Sequence, residues 1–233
     1  YQRAKEAAKA IMDLGQYELD PDYNNLFTVA GQGSKEIIAA FQRDENLYDN
    51  WMIGTMYNNA DGGWSSMVPT QNLVDAYEMS NGLTKEEAGS GYDATHPYAN
   101  RDPRMAMTVL FPGMDWEGGI LNTLDATIDG SKNPNNPDKT GLTWGKYLLD
   151  KSQYADMWAT NASVIIFRYA EVLLSYAEAE NELNGPSAEI YGMLDQVRNR
   201  VGMPAVDRGK YATQAKLREL IRRERSSELA GEG

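Results

Sequence analysis

The sequence predicts a mainly α protein with long irregular loops and a few short strands. Three observations carry that expectation. Residues 163–182 read SVIIFRYAEVLLSYAEAENE, placing Ile166, Tyr169, Ala170, Leu173 and Ala177 at i, i+3, i+4, i+7 and i+11, one apolar stripe at helical period. A second amphipathic stretch follows almost at once, with Ile190, Leu194, Val197 and Val201 on its inner face. Two helices joined by so short a turn must fold back antiparallel. The helical period also returns at both ends of the chain, in residues 1–14 and 212–229.

Taken in order, residues 1–14 put Ala4, Ala7, Ala8 and Ile11 on one face, with Gly15 as the stop. Small alanines let a neighbouring helix come close. Residues 16–27 are rich in Asp and Asn and punctuated by Tyr17, Tyr23 and Phe27, which reads as irregular. Residues 36–41 form a short apolar run whose period does not choose between strand and helix. Residues 47–66 crowd Tyr48, Trp51, Met52, Met56, Tyr57 and Trp64 among Asn and Gly at neither helical nor strand spacing, so they read as a loop. Residues 69–79 read as a helix with Thr70 as N-cap, ended by Asn81-Gly82. Residues 105–111 alternate loosely and read as a strand closed by Pro112-Gly113, with residues 144–149 as a short partner. Residues 118–141 are turn-rich, and residues 131–140 (SKNPNNPDKT) are expected to be exposed. Asn184-Gly185-Pro186 stops the central helix, since Gly accepts the left-handed cap and Pro cannot continue. The last helix has Thr213 as N-cap, Leu217, Leu220 and Ile221 inward, and Arg218, Arg222 and Arg225 along one side.

Composition bounds the function. The 233 residues suit one large domain or two small ones, and a 42% hydrophobic share is ordinary for a globular chain. No apolar run approaches the ~20 residues that span a bilayer. The chain opens directly into an amphipathic helix without a secretory leader, and Tyr1 is not a natural start, so a trimmed piece of something longer is expected. A formal net charge of −12 makes nucleic acid and anionic membrane surfaces poor partners. Cys is absent, so disulfides, thiolate nucleophiles and Cys-type zinc sites are excluded together. His96 is the single histidine; it rules out multi-His metal sites and reads as a turn residue before Pro97. Asp125, Asp129 and Gly130 faintly suggest a calcium loop, but the middle acid is missing and Asn136 stands where a bidentate Glu belongs. No metal and no cofactor is therefore expected.

Tyr and Trp number 14 and 5 against 4 Phe, a skew toward rings with a polar edge that suits a surface both sticky and wet. Sugars present apolar C–H faces ringed by hydroxyls. Trp51, Tyr57 and Trp64 could take such a face, with Asn50, Asn58, Asn59 and Asp61 on the rim. The competing reading is a loop whose rings tuck into the core. Trp116, beside Asp115, Gly118 and Gly119, is the next candidate, whereas Trp144 and Trp158 flank regular elements and read as packed. Glu171, Glu178, Glu180 and Glu182 could be imagined as an acid/base pair for glycoside cleavage. All four lie on one helix, and pairing with Arg218, Arg222 and Arg225 or plain solvation is the stronger reading. Arg101, Asp102 and Arg104 read as a brace for their turn through charge-assisted bonds.

The order of the motifs carries a resemblance. FRYAEVLLSYAEAENELNG at residues 167–185 closely resembles the signature helix of the SusD/RagB family, as do LDQVRNRVGMP at 194–204 and LRELIRRERSSELAGEG at 217–233. VPTQNLVDAYEMSNG at 68–82, RDPRM at 101–105 and the opening helix with LGQYEL follow the family's order, so the likeness spans nearly the whole chain. It implies tetratricopeptide-like helix pairs and a lipid-anchored protein on the outer-membrane surface of Bacteroidetes. Such proteins bind oligosaccharides or polysaccharides, or sometimes peptides, cap a SusC-like TonB-dependent transporter, and are not enzymes. The expected layout is one region over residues 1–233, with 1–46 opening the helical scaffold, 47–162 facing the ligand and 163–233 completing the scaffold. Arg168 and Glu171 are family-like positions and read as scaffold salt bridges. The lipidated Cys and much of an amino-terminal scaffold are expected to lie before Tyr1. The family's ligand residues vary and come from loops, so the resemblance does not select among the rings. The rival functions are an α-rich glycoside hydrolase or lyase, and a helical-repeat adaptor that binds only proteins.

Overall fold

The computed structural model describes residues 1–43, 51–60, 62–116, 118–136, 138–148, 158 and 161–232, and of residues 51–53 the backbone alone. Its centre is α5 (Tyr169–Asn184), which is buried on two faces. Leu174 and Ala177 meet Ile190 and Leu194 of α6 (Ala188–Arg200) and Leu217, Leu220 and Ile221 of α7 (Gln214–Glu228). Val172, Leu173 and Tyr176 face the other way, toward Ala8 of α1 (Gln2–Asp13) and Met193 and Val197 of α6. Each such leucine contributes roughly 1.5–3 kcal/mol when fully buried. The turn between α5 and α6 uses Gly185 at φ +81°, where a Cβ would be strained. Ser187 then caps α6 by accepting the Ile190 N–H at 3.3 Å.

Two expectations are corrected here. The central element does not begin as a helix: Val164–Arg168 is a strand, β6, paired antiparallel with β1 (Ile37–Phe41). β-Branched Val164, Ile165 and Ile166 fit a pleated edge, and their spacing merely coincides with the helical stripe. Ile166 is accordingly 57% exposed rather than part of the buried face. The same pairing decides the ambiguous run at 36–41 in favour of a strand. Residues 105–111 are the second correction. Asp102 accepts the Arg104 N–H at 2.9 Å and Pro103 occupies the first turn, so α4 (Pro103–Thr108) forms. Only Val109–Leu110 (β2) is extended, paired with β5 (Thr143–Trp144).

The loop expected over 47–66 is also partly helical, since α2 runs Trp51–Met56. Residues 44–50 and 61 lie outside the described residues. α3 (Gln71–Ala76) follows, with Thr70 extended at its N-cap and making no side-chain cap bond. β3 (Asp115–Trp116) and β4 (Gly119–Ile120) form a small hairpin.

The elements meet over a buried ionic network. Arg104, Lys146, Arg168, Arg198, Arg200 and Arg223 face Glu36, Glu78, Asp102, Glu224, Glu228 and Glu232, one carboxylate for each cation. Arg168, fully buried, donates to Glu36 Oε1 at 2.6 Å, Glu228 Oε1 at 2.6 Å and Glu232 Oε2 at 2.7 Å. Arg104 reaches Asp102 at 2.6 Å, Glu224 at 2.5 Å and Glu228 at 2.9 Å. Burial alone would push the Glu228 carboxyl up, but Arg168, Arg200 and Arg104 around it hold it well below the usual range. Burial pulls the Lys146 ammonium down; it stays paired with Glu232 at 2.8 Å and sits over the Phe27 ring at 4.6 Å. The network ties α4, β6, α6 and α7 into one body.

Candidate functional site

The loops beyond α2 carry the surface that could meet a ligand. The chain leaves α2 and doubles back along it: Gly63 N–H donates to Asn58 O at 2.9 Å, Trp64 N–H to Gly54 O at 3.0 Å, and Ser65 N–H to Tyr57 O at 2.9 Å. This fold-back sorts the candidate residues. Tyr57 and Asn58 turn inward, 0% and 2% exposed, and Tyr57 packs with Ala162, Val29 and Leu148. The expectation that these two contact ligand is therefore corrected: a sealed ring presents no face. Asn59 is spent on the neighbouring loop, its Nδ2 donating to Asn136 Oδ1 at 2.8 Å and Ile128 O at 3.2 Å. Asp129 accepts the Ala60 N–H at 3.0 Å, which holds that loop in place. Asn50, Asp61 and the Trp51 side chain lie outside the described residues.

Trp64 turns outward, 48% exposed. Behind it stands Trp158, ring centroids 4.9 Å apart and planes tilted 55°. The Trp158 ring lies flat on α2 at Gly54, where an added Cβ would come within 2.2 Å of Cζ3, and its Nε1 donates to Gly62 O at 3.4 Å. A glycine inside a helix, otherwise unfavourable, is required by that contact. Sequence reasoning took Trp158 as packed but missed its pairing with Trp64; helical Gly54 was the signal that a flat group rests there.

Trp116 stands apart, half-buried on the β3–β4 hairpin, over a pocket of about 330 Å³. Trp144 is half-buried in β5. A wider, apolar groove of about 750 Å³ runs between Pro97–Tyr98 and Phe111–Pro112, with Tyr98 stacked on Phe111 at 4.3 Å. His96 is exposed at its edge, Nδ1 2.8 Å from Asp93 Oδ2.

The carboxylates weighed for acid/base work are engaged. Glu182 pairs with Arg218, Glu171 with Arg225 at 3.4 Å, Glu178 with Arg225 at 3.8 Å, and Glu180 with Lys5 at 2.5 Å. Arg101 donates to the carbonyls of Val74 at 2.6 Å, Tyr77 at 2.8 Å and Pro97 at 2.9 Å, tying its turn to the end of α3. Asp102 caps α4 and binds Arg104, and Arg168 is the hub of the ionic network. Asp125 engages Asn122 and Lys132, apart from Asp129, and no group of three acidic or His side chains among the described residues could hold a metal.

Antiparallel helix pairs of the tetratricopeptide type, hung with long loops that carry exposed rings, define the class of this protein: a SusD-like fold. The chain belongs to the SusD family, matching it over residues 26–233. It is similar to a SusD-like carbohydrate-binding protein of Bacteroides fragilis, 31% identical with a TM-score of 0.86, over 98% of this chain and 46% of that one. A second SusD-like protein of the same organism is 27% identical with a TM-score of 0.76, over 99% of this chain and 49% of that one. A SusD-like protein of Formosa agariphila is 45% identical over 69 residues, 29% of this chain and 13% of the relative. The chain thus spans less than half the length of these relatives.

Proposed function

We propose that this chain is part of a cell-surface glycan receptor. It captures an oligosaccharide and passes it intact to a SusC-like TonB-dependent transporter in the outer membrane, to which a lipid anchor holds it. The observation that carries the reading is the Trp64 indole, half exposed and braced from behind by Trp158 on Gly54. A braced ring loses little freedom when a sugar face settles on it, so more of the contact energy survives as affinity. Residues 47–162, the part we assign to the ligand side, are rich in Asn. Membership of a family with a carbohydrate-binding relative at 31% identity supports the same reading. Among the described residues no helix is long and apolar enough to cross a membrane.

The test is titration calorimetry of the chain with neutral oligosaccharides, comparing wild type with Trp64→Ala and Trp158→Ala. We expect each variant to weaken binding about tenfold, the worth of one lost ring contact of ~1.4 kcal/mol. Equal affinities in all three proteins would remove this surface from the site. A pull-down of the intact lipoprotein from outer membranes tests the hand-over, and recovery without a β-barrel transporter would sink that part.

A further inference from the structure

The Trp116 pocket lies outside the Trp64 platform, and Trp64 contributes nothing to its wall. At about 330 Å³ it sits at the small end of ligand pockets, roughly 300–1,000 Å³, with room for one sugar ring rather than a chain. Met107, Leu110 and Met114 provide an apolar floor beside the indole of Trp116. Two polar residues stand exposed at the rim, Asn24 and Asp115. Among the described residues neither the Asn24 amide nor the Asp115 carboxylate is taken up by a hydrogen bond or ion pair, unlike Asn59, Asp93, Asp125 and Asp129 in the other loops. Asp22 adds a second carboxylate at the base of Asn24, accepting its N–H at 3.0 Å. Lys146, on the wall, is fully buried and neutralised by Glu232, so it offers an anion little. Phe27 and Tyr147 line the pocket and pack edge to face, with Tyr23 against Phe27, which keeps that wall in place.

We infer that this pocket is a second carbohydrate subsite that takes a single neutral sugar residue, its face on Trp116 and its hydroxyls on Asn24 and Asp115, and that it rejects uronic and sulfated sugars. The inference rests on the receptor reading above and adds the charge class of the glycan. An apolar floor beside an indole suits a C–H face, and a free amide and carboxylate suit hydroxyl donors and acceptors. An anionic sugar would instead bring its charge against Asp115, and among the described residues the wall holds no exposed cation to offset it.

The test uses the full chain and two named panels: cello-, xylo-, manno-, malto- and laminarihexaose, and as acidic counterparts hexa-galacturonate and hexa-mannuronate. Titration calorimetry should show a neutral hexaose binding at least tenfold more tightly than either acidic one. Trp116→Ala and Asn24→Ala should each weaken that binding roughly tenfold. Asp115→Asn should narrow the gap between neutral and acidic sugars. Asn24 lies outside the β3–β4 hairpin, so its variant keeps the test decisive if Trp116→Ala fails to fold. If Trp64→Ala weakens binding while Trp116→Ala and Asn24→Ala leave it unchanged, the subsite is overturned and the receptor reading stands. Acidic hexaoses binding as tightly as neutral ones would overturn the charge assignment. No binding to any sugar of the panel overturns both.

Discussion

Glu228→Gln tests whether the ionic network holds the scaffold together. Glu228 is fully buried and accepts from Arg168 Nη1 at 2.6 Å, Arg104 Nη1 at 2.9 Å and Arg200 Nη2. Glutamine keeps the volume but removes the charge and turns an N–H₂ toward guanidinium groups that can only donate. Charge-assisted hydrogen bonds are worth about 1.5–3 kcal/mol each, and removing one partner of a buried ion pair costs about 3–5 kcal/mol. The arginines keep Asp102, Glu224, Glu36 and Glu232, so the loss should settle near 4 kcal/mol rather than the sum of three bonds. In a chain of 233 residues each kcal/mol moves Tm by about 2–4 °C, so Tm should fall by ~8–16 °C at pH 7. Glu228 titrates well below the ordinary glutamate value in the folded state, so its stabilisation is full above about pH 4.5 and fades as pH falls toward its folded value. Glutamine cannot titrate, so the gap between the two proteins should narrow from pH 7 to pH 3.5. Circular dichroism melts and urea denaturation at pH 7, 4.5 and 3.5 measure both effects. A fall of under ~3 °C at pH 7, or a gap that ignores acidification, would refute the reasoning.

Further outcomes follow from single contacts. Gly54→Ala should drive the Trp158 ring off α2, costing about 1–3 kcal/mol and weakening oligosaccharide binding through Trp64; calorimetry and tryptophan fluorescence read both, and an unmoved spectrum would contradict it. Leu194→Ala, between α5, α6 and α7, should cost about 2–5 kcal/mol in urea denaturation, and a loss under 1 kcal/mol would mean the helices close over the gap. Ser187→Ala removes the cap on Ile190 N–H and should cost about 1 kcal/mol; Ser187→Thr should recover most of it.

The helical end of the chain was readable because period and stop signals agreed. In α6 and α7 the apolar residues repeat on one face, Ser187 and Thr213 sit at the N-caps, and Gly185 takes the left-handed turn. Where two periods fit the same letters the reading failed: Val164–Arg168 satisfies a helical stripe, yet its pairing with β1, 123 or more residues away, makes it a strand. For α4 the information was present in Asp102-Pro103, an N-cap followed by a first-turn proline, and loose alternation masked it.

The sequence by itself determined the family, the mainly α scaffold, the lack of Cys in these 233 residues and a ring-rich middle segment, because these follow from composition, short-range spacing and motif order. Tertiary structure alone decided which rings face outward. Tyr57 and Trp64 lie seven residues apart in one segment of uniform composition, yet the fold-back onto α2 seals the first and exposes the second. Tertiary structure also decided that Glu36, Arg104, Arg168 and Glu228 share one buried cluster. Burial and charge pairing are properties of what arrives from distant parts of the chain, and local sequence carries no record of that arrival.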